Sequence, residues 1–194
     1  MVANPKELTY PYYSLEEYFA IEGVGHVRYE YWDGQIVCMS GGTQWHYFIG
    51  ANAHLILGRQ LTGRNCRAFT AETPIKTPTL PPYRYPDASV VCGKPVFERI
   101  ESVDAVVNPI LIIEVLSPST ESRDRGPKRT AYQALPSLME YVLVAQDAPH
   151  VTHYLRHGND WIRSDFGSLD VRIFLSSIEG TLSLTELYEG VEFP

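Results

Sequence analysis

The chain has 194 residues, of which 44% are hydrophobic and 20% are charged, a composition typical of a globular protein with one large core. Its formal net charge of −7 argues against a surface that coats nucleic acid in general, because such surfaces are usually basic. The longest apolar runs have the length of a strand and fall far short of the roughly 20 residues that span a bilayer. We therefore expect a single domain over residues 1–194 without a membrane span.

The N-terminal segment lacks the apolar region of a secretory signal, which predicts a cytoplasmic protein. The three cysteines, Cys38, Cys66 and Cys92, are widely spaced and form no Cys-x-x-Cys pair. That pattern indicates neither a disulfide framework nor a zinc knuckle. We expect the cysteines to be small buried hydrophobic residues.

Capping residues and hydrophobic periodicity predict the elements of the N-terminal half. A capping box at Ser14 and Glu17 begins a helix, and Asp33-Gly34 is the strongest hairpin signal in the sequence. Thr43 is a suitable N-cap for a longer helix. In chain order we expect a helix over about 15–21, a hairpin over 27–39, a helix over about 44–62, two short strands within 66–76, a loop over 78–86 and a strand over 85–92.

The C-terminal half is predicted to consist of strands around one helix. Residues 110–116 form an apolar, β-branched run that suits a strand buried on both faces. Pro127 suits the first turn of a helix that ends before Pro136, and the strand over 141–145 should lie parallel to 110–116, because such crossovers are right-handed. We also expect a loop over 93–108, antiparallel strands over 151–156, 160–165 and 171–174, and a helical turn over 183–188.

One carboxylate, Glu114, lies within the apolar run 110–116. A carboxylate buried without a partner costs several kcal/mol or becomes protonated, so a cation, a hydrogen-bond network or a mobile water site must lie beside it. Asp87 lies in a second strand-like run, 85–92. If the two strands are neighbours, both carboxylates face one point, where they suit a hard cation such as Mg²⁺.

The residues around these two acids resemble the Uma2 family. The resemblance covers nearly the whole chain and is carried by Pro86-Asp87, by the run from Pro109 to Thr120, and by Asp124, Lys128 and Tyr132. That family in turn resembles the PD-(D/E)XK restriction-endonuclease-like nucleases. The resemblance implies an α/β fold of mixed α+β type, with a central mixed β-sheet flanked by helices and an antiparallel extension.

The resemblance also implies an activity, the metal-dependent hydrolysis of phosphodiester bonds by a DNA endonuclease. It implies Mg²⁺ or Mn²⁺ held by Asp87, Glu114 and the backbone carbonyl of Val115. Such an ion lowers the pKa of a bound water and stabilises the charge that develops on the phosphate. The wider superfamily has a lysine two residues after the second acid, where this chain has Leu116, and the Uma2 pattern implies that Lys128 replaces it.

Two further residues match positions of the family and are candidate catalytic residues. Glu30, in the first strand of the hairpin, matches a recurring acid, and a salt bridge or an edge hydrogen bond is the alternative. His46 lies in the first turn of the second helix, where the helix dipole favours the neutral imidazole. A neutral histidine there suits proton transfer or a hydrogen bond to phosphate, and a structural role is the alternative.

Basic residues near the proposed metal site are candidates for binding DNA. Segment 121–129 carries four cations and two acids, and its arginines are Arg123, Arg125 and Arg129. A solvated loop of mixed charge is the alternative. Arg84 lies between two tyrosines, which suggests a nucleic-acid groove in which rings stack on bases and the arginine meets phosphate. Packing at the edge of the core is the alternative for these aromatic residues.

Two other functions and the oligomeric state stay open from the sequence alone. A nonenzymatic nucleic-acid-binding or partner-binding module is favoured by Leu116 in the lysine position and by the acidic net charge. A metal-dependent phosphodiesterase that acts on small nucleotides is also open, because no sequence feature defines the size of the substrate. A homodimer is neither indicated nor excluded.

Overall fold

The structure, a computed structural model, describes residues 11–24, 27–39 and 42–193. The chain divides into two compact units, Met1–Ser40 and Gly41–Pro194, and each unit is described by itself. The count of one domain over 1–194 stays a prediction. Within the described ranges, no helix combines the length and the apolar character that a membrane span needs.

The first unit contains helix α1 (Leu15–Val24) and the antiparallel strands β1 (Tyr29–Trp32) and β2 (Gln35–Cys38). The predicted capping box precedes the helix, since the N–H of Glu17 donates to Ser14 Oγ and the N–H of Ser14 donates to the Glu17 carboxylate. Asp33 and Gly34 turn the hairpin with positive φ angles of 43° and 81°. A two-residue turn of this kind matches the twist of its strands, so the predicted hairpin is confirmed.

The second unit contains twelve described strands and four described α-helices. The strands are β3 (Cys66–Thr70), β4 (Ile75–Lys76), β5 (Tyr83–Arg84), β6 (Ala88–Cys92), β7 (Phe97–Ile100), β8 (Val103–Val106), β9 (Leu111–Val115), β10 (Glu140–Val144), β11 (Val151–His157), β12 (Asp160–Phe166), β13 (Arg172–Leu175) and β14 (Gly180–Ser183). The helices and helical turns are α2 (Gln44–Leu61), α3 (Glu121–Arg123), a π-helical turn (Asp124–Lys128), α4 (Arg129–Gln133), a 3₁₀ turn (Ser176–Ile178) and α5 (Leu184–Leu187).

A mixed six-stranded sheet organises the second unit. Its strands lie in the order β12, β11, β10, β9, β6, β3. Strands β9 and β10 are parallel, as the strand–helix–strand pattern predicts, and the other neighbours are antiparallel. A central mixed sheet with flanking helices is the predicted fold class.

Different elements cover the two faces of this sheet. On one face, Leu57 and its neighbours in α2 pack in one core cluster with Ile113 of β9. On the opposite face, Tyr132 of α4 packs in a second cluster with Ile112. Because side chains alternate along a strand, Glu114 lies on the same face as Ile112 and Tyr132.

The segment 93–108, predicted as a loop, contains the antiparallel pair β7–β8. Strand β7 is largely exposed, so its sequence lacks the apolar alternation of a half-buried strand. Glu101 lies in the turn between the two strands and has a positive φ of 49°. A glycine usually occupies such a position, and its absence removed the usual sequence signal for a turn. The pair joins β4 and β5 in a separate four-stranded sheet, and β13 pairs with β14 instead of extending the central sheet.

The helical segment after β9 begins at Glu121, and the prediction that it begins at Pro127 is wrong. Pro127 lies inside the π-helical turn. Proline lacks an N–H and its ring collides with the carbonyl four residues earlier in an α-helix, and a wider turn accommodates it. Lys128 therefore lies in the middle of the helical segment, where the dipole of a first turn does not act.

The prediction of three buried cysteines without a disulfide is also wrong. Cys66 and Cys92 lie opposite each other on β3 and β6 and form a disulfide. Cys38, in the first unit, is exposed. The spacing of the cysteines gave no signal for the bond, because only the register of the two strands brings the sulfur atoms together.

Reduction of the Cys66–Cys92 disulfide should lower the free energy of unfolding by about 3 to 4 kcal/mol, because the bond restricts the unfolded chain over a separation of 26 residues. Urea unfolding with and without a reductant measures the difference. Cys38→Ser is the matched control and should leave that difference unchanged. Equal stability of the oxidised and reduced protein would contradict the bond.

Candidate functional site

Asp87 and Glu114 lie on one face of two neighbouring antiparallel strands. Ala88 of β6 pairs with Ile113 of β9, so one further step of the register places Asp87 opposite Glu114. Ala88 and Ile113 belong to the core cluster under α2. Side-chain alternation therefore directs both acids to the opposite face, beside the helical segment 121–133.

The carboxylate of Asp87 is held at both of its oxygen atoms. Oδ1 lies 3.1 Å from His46 Nε2, and Oδ2 accepts a hydrogen bond of 2.6 Å from the N–H of Val115. The N–H and carbonyl of one strand residue point toward the same neighbouring strand, so the Val115 carbonyl also faces the side of Asp87. The Asp87 side chain keeps 21% of its surface exposed, so solvent and solutes reach it.

His46 reaches Asp87 from the first turn of α2. Thr43 caps this helix as predicted, and its Oγ1 accepts from the N–H of His46 at 3.2 Å. A neutral imidazole that donates from Nε2 to a carboxylate uses Nδ1 as its acceptor. The contact between His46 and Asp87 was missed by sequence reasoning, and the family pattern was the one signal that could have suggested it.

Glu114 has a buried cationic partner. Lys128 Nζ lies 3.1 Å from Glu114 Oε1 and 3.3 Å from Asp124 Oδ1. The three side chains are at most 4% exposed. The distance agrees with the expectation that the Lys128 ammonium reaches Glu114, and it provides the cation that a carboxylate in an apolar strand requires.

Asp124 joins this buried group of charges, although sequence reasoning noted it only as part of the family pattern. Tyr141 of β10 donates its hydroxyl to the backbone carbonyl of Asp124 at 2.9 Å. Burial raises the pKa of Tyr141 well above its usual value, and the charges of Glu114 and Asp124 raise it further. Tyr141 is therefore a neutral hydrogen-bond donor at physiological pH, and its ring packs between Tyr132 and Tyr154.

The two acids differ in their electrostatic environments. Burial raises the pKa of the Asp87 carboxyl, and the charge of Asp124 adds to the rise. His46, the N–H of Val115 and Lys128 act in the opposite direction, and the net shift is upward. In the metal-free protein Asp87 therefore keeps a proton more readily than an exposed aspartate does.

The donor atoms at this place fit a hard divalent cation. Two carboxylates and the Val115 carbonyl are oxygen ligands, and Mg²⁺ is usually bound by one or two carboxylates while water completes its shell. Within 11–24, 27–39 and 42–193, no three side chains of His, Cys, Asp or Glu are grouped so that they bind a metal by themselves. An ion at this place would therefore rely on Asp87, Glu114, backbone and water.

Glu30 and Arg84 are two further predicted site residues. Glu30 belongs to the first unit, where its carboxylate accepts from Trp32 Nε1 at 3.0 Å, and its catalytic role stays a prediction. Arg84 is 3% exposed and donates to the carbonyl of Leu80 at 3.2 Å. The tyrosines on either side of Arg84 are also buried, which favours the alternative of packing in the core, and nucleic-acid binding by Arg84 stays a prediction.

The arginines in segment 121–129 already interact with protein groups. Arg125 donates to the Glu121 carboxylate at 2.7 Å and to Thr152 Oγ1 at 3.3 Å. Arg129 donates to the Tyr154 hydroxyl at 3.1 Å, and its guanidinium lies over the Tyr154 ring. The contacts with Thr152 and Tyr154 tie the helical segment to β11. A phosphate would have to share Arg125 and Arg129 with these protein groups.

The fold and the site together define a mixed α/β protein with an acidic pair and a buried lysine on one face of a central sheet. The fold resembles the crystal structure of a DUF820 protein from Anabaena variabilis, described as a putative nuclease, with a TM-score of 0.73, 18% identity and coverage of 92% of this chain and 99% of that chain. The sequence model of the Uma2 family, described as "Putative restriction endonuclease", matches residues 15–186. The chain belongs to the Uma2 family.

Two proteins of Synechocystis sp. (strain ATCC 27184 / PCC 6803 / Kazusa) are similar along most of their length. The uncharacterized protein slr1290 is 31% identical over 194 residues, which is 100% of both chains. The uncharacterized protein sll1609 is 31% identical over 166 residues, which is 85% of this chain and 90% of that protein. The similarity therefore extends beyond the residues of the site to the whole fold.

Asp87→Asn should raise the Tm of the metal-free protein at pH 7. A raised pKa in the folded state means that the native protein binds the proton more tightly than the unfolded chain does, so the contribution of Asp87 to stability falls as pH rises above the ordinary value of 3.8. The amide keeps an acceptor for the N–H of Val115 and removes the charge. Thermal unfolding in the presence of a chelator measures this increase in Tm, which should become smaller as the pH is lowered toward 4.

Asp165 is the matched control, because its pKa is shifted in the opposite direction to that of Asp87. The hydrogen bond from Arg163 lowers the pKa of Asp165 to about 2, with help from Thr152 and His150. The stability that Asp165 contributes is therefore present above 3.8 and lost as pH falls toward 2. Asp165→Asn should lower the Tm at pH 7, and shifts of equal sign for the two variants would contradict the assigned environments.

Proposed function

We propose that this protein is a divalent-metal-dependent DNA endonuclease that hydrolyses phosphodiester bonds, of the PD-(D/E)XK type. The observation that carries the proposal is the placement of Asp87 and Glu114 on one face of adjacent strands, with the Lys128 ammonium 3.1 Å from Glu114. Membership in a family described as restriction endonucleases supports it. A metal-binding acid pair with a lysine beside it is suited to stabilising the charge of a phosphate under attack.

Asp87, Glu114 and the Val115 carbonyl would hold Mg²⁺ or Mn²⁺. When bound, the ion supplies a water of lowered pKa and neutralises charge on the phosphate. Groups of the protein act on each of the two carboxylates. His46 and the N–H of Val115 orient the Asp87 carboxylate, and Lys128 keeps Glu114 ionised at a position where burial alone would favour protonation.

Lys128 and His46 have different parts in the proposed reaction. The ammonium of Lys128 is buried and fixed, so it is suited to neutralising charge on the phosphate without moving. His46 is partly exposed and contacts Asp87, so its imidazole can exchange a proton with solvent beside the reacting groups. The role of Lys128 is the one that the family resemblance implies, and the family also has a histidine at the position of His46.

DNA binding is proposed to use the basic side chains of segment 121–129. Arg123 is partly exposed, and Arg125 and Arg129 would approach phosphate while sharing their present partners. A local patch suffices for this purpose, because screening limits the repulsion from acidic residues elsewhere on the surface to about 8 to 10 Å.

The proposed enzyme acts as a single domain in the cytoplasm, and we do not assign it a dimer. Disulfides are rarely kept in the cytosol, so the redox state of Cys66 and Cys92 bears on this location. Alkylation of thiols during cell lysis, followed by mass spectrometry, tests it. Labelling of Cys38 alone would place the protein in an oxidising compartment and contradict the cytoplasmic location.

A nonenzymatic nucleic-acid-binding module is the second candidate, and the burial of Glu114 and Lys128 favours it. Each side chain is 4% exposed and each already contacts the other, so a metal would have to share Glu114 with the lysine. A protein that has lost catalysis keeps such a pair for stability alone. Binding of DNA without cleavage under any metal condition would identify this function.

Cleavage should require a divalent cation and both acids. Supercoiled, linear and single-stranded DNA, RNA and a dinucleotide are incubated with Mg²⁺, Mn²⁺ or EDTA, and products are resolved by electrophoresis or chromatography. Asp87→Asn and Glu114→Gln should each lower the rate by about 100-fold or more, since each removes charge where the reaction needs it. Asp104→Ala, which breaks an exposed pair with Arg99, is the control and should cut normally.

Cleavage in EDTA, or undiminished cleavage by either acid variant, would contradict the proposed mechanism. Hydrolysis of the dinucleotide without cleavage of longer nucleic acid would instead identify a phosphodiesterase for small nucleotides. These outcomes separate the substrate class from the metal requirement.

Lys128→Ala and Arg123→Ala should affect different steps. Loss of Lys128 should lower kcat by about 100- to 1,000-fold with little change in the Kd for DNA, as expected for an interaction made mainly in the transition state. Loss of Arg123 should weaken binding and lower the slope of log Kd against log salt concentration by about one. Full-rate cleavage by Lys128→Ala would show that this lysine has no part in the chemistry.

A further inference from the structure

We infer that Asp124 positions Lys128 for the reaction, an inference that rests on the proposed nuclease function. Lys128 Nζ contacts Asp124 Oδ1 at 3.3 Å as well as Glu114 Oε1 at 3.1 Å. Asp124 is a positioning residue, because the contact through which it acts is with the lysine.

The π-helical turn contains both Asp124 and Lys128, and their side chains lie on the same face of it. Residues four apart share a helix face in an α-helix of 3.6 residues per turn. Asp124 and Lys128 lie four residues apart in this helical segment, so their side chains share one face of it. Pro127, which an α-helix would not accept at this place, lies within that turn.

The charge balance of the buried group points to a function beyond stability. Glu114 and Lys128 would form a neutral pair by themselves, and such a pair is sufficient to compensate the charge on a buried carboxylate. Asp124 adds a second buried carboxylate to the same ammonium, and burying that carboxylate has a desolvation cost. The second contact holds the ammonium between two oxygen atoms, so Glu114 alone does not set its position.

Asp124 has a fixed backbone from which to hold the lysine. Its carbonyl accepts from the Tyr141 hydroxyl at 2.9 Å, so β10 anchors the π-helical turn over the sheet. Tyr141 is buried and stacks with Tyr154, which leaves the hydroxyl little freedom. The position of the Lys128 ammonium is therefore defined by the helical segment and β10, while β9 supplies Glu114.

A double-mutant cycle in kcat tests this role. Asp124→Ala should lower kcat by about 10-fold or more with KM within about twofold, because misplacing the ammonium affects the transition state. The double variant with Lys128→Ala should be as slow as Lys128→Ala alone, since Asp124 acts through the lysine. Asp124→Asn should recover part of the rate, because the amide oxygen still accepts from the ammonium. A merely structural role would make the two losses multiply.

Thermal unfolding with a chelator provides a readout that does not depend on cleavage. Asp124→Ala should lower the Tm of the parent, because it removes an ion pair. In the Lys128→Ala background the same change should raise the Tm, because it removes one of two buried carboxylates that have lost their cation. Asp104→Ala is the control, and its shift should be equal in both backgrounds. If Lys128→Ala does not fold, Lys128→Gln replaces it in both assays.

The outcomes separate this inference from the proposed function. A parent that cleaves nothing overturns the proposed function and the role of Asp124 with it. A parent that cleaves, combined with a double variant slower than Lys128→Ala, overturns the inference alone. Equal Tm shifts in both backgrounds also overturn it, because they show that Asp124 and Lys128 are not coupled.

Discussion

The burial of the Glu114 carboxylate in the apolar strand β9 is the constraint on which the second unit depends. An ionised carboxylate in that position is stable only beside a cation and good hydrogen-bond geometry. The strand itself supplies no cation, so the helical segment after it must cross the same face and present Lys128. Three features hold the helical segment and its lysine in this position. They are the π-helical turn, the hydrogen bond from the Tyr141 hydroxyl and the contact of Lys128 with Asp124.

The two acids of the site have complementary properties. Glu114 is buried and paired, which fixes its position and its charge. Asp87 is partly exposed, and His46 and the N–H of Val115 orient it. A site for a hard cation needs both properties, since a rigid ligand defines the place and an accessible one lets the ion and its water enter. The different environments arise because β9 lies inside the sheet, whereas Asp87 precedes β6.

Local features, more than total charge, support a nuclease in this family. The net charge of −7 describes the whole surface, while a phosphate is affected mainly by charges within about a Debye length. The similarity to the Anabaena variabilis structure, at 18% identity, concerns the fold. Function therefore depends on the side chains of this chain. The contacts of Lys128 that favour catalysis also stabilise the buried charges, which is a second reason for this lysine to be kept.

The sequence by itself determined the features that depend on neighbouring residues. The apolar run of β9, the hairpin at Asp33-Gly34 and the Thr43 cap follow from periodicity and local backbone preference. The Uma2 pattern further indicated that Lys128 belongs with Glu114. Only the tertiary structure decided the Cys66–Cys92 bond, the contact of His46 with Asp87 and the place of Asp124 beside Lys128. The disulfide and the His46 contact depend on strand register and helix placement over long distances in sequence. The contact of Asp124 with Lys128 depends on a helical segment that begins at Glu121, before the proline at which the sequence placed its start.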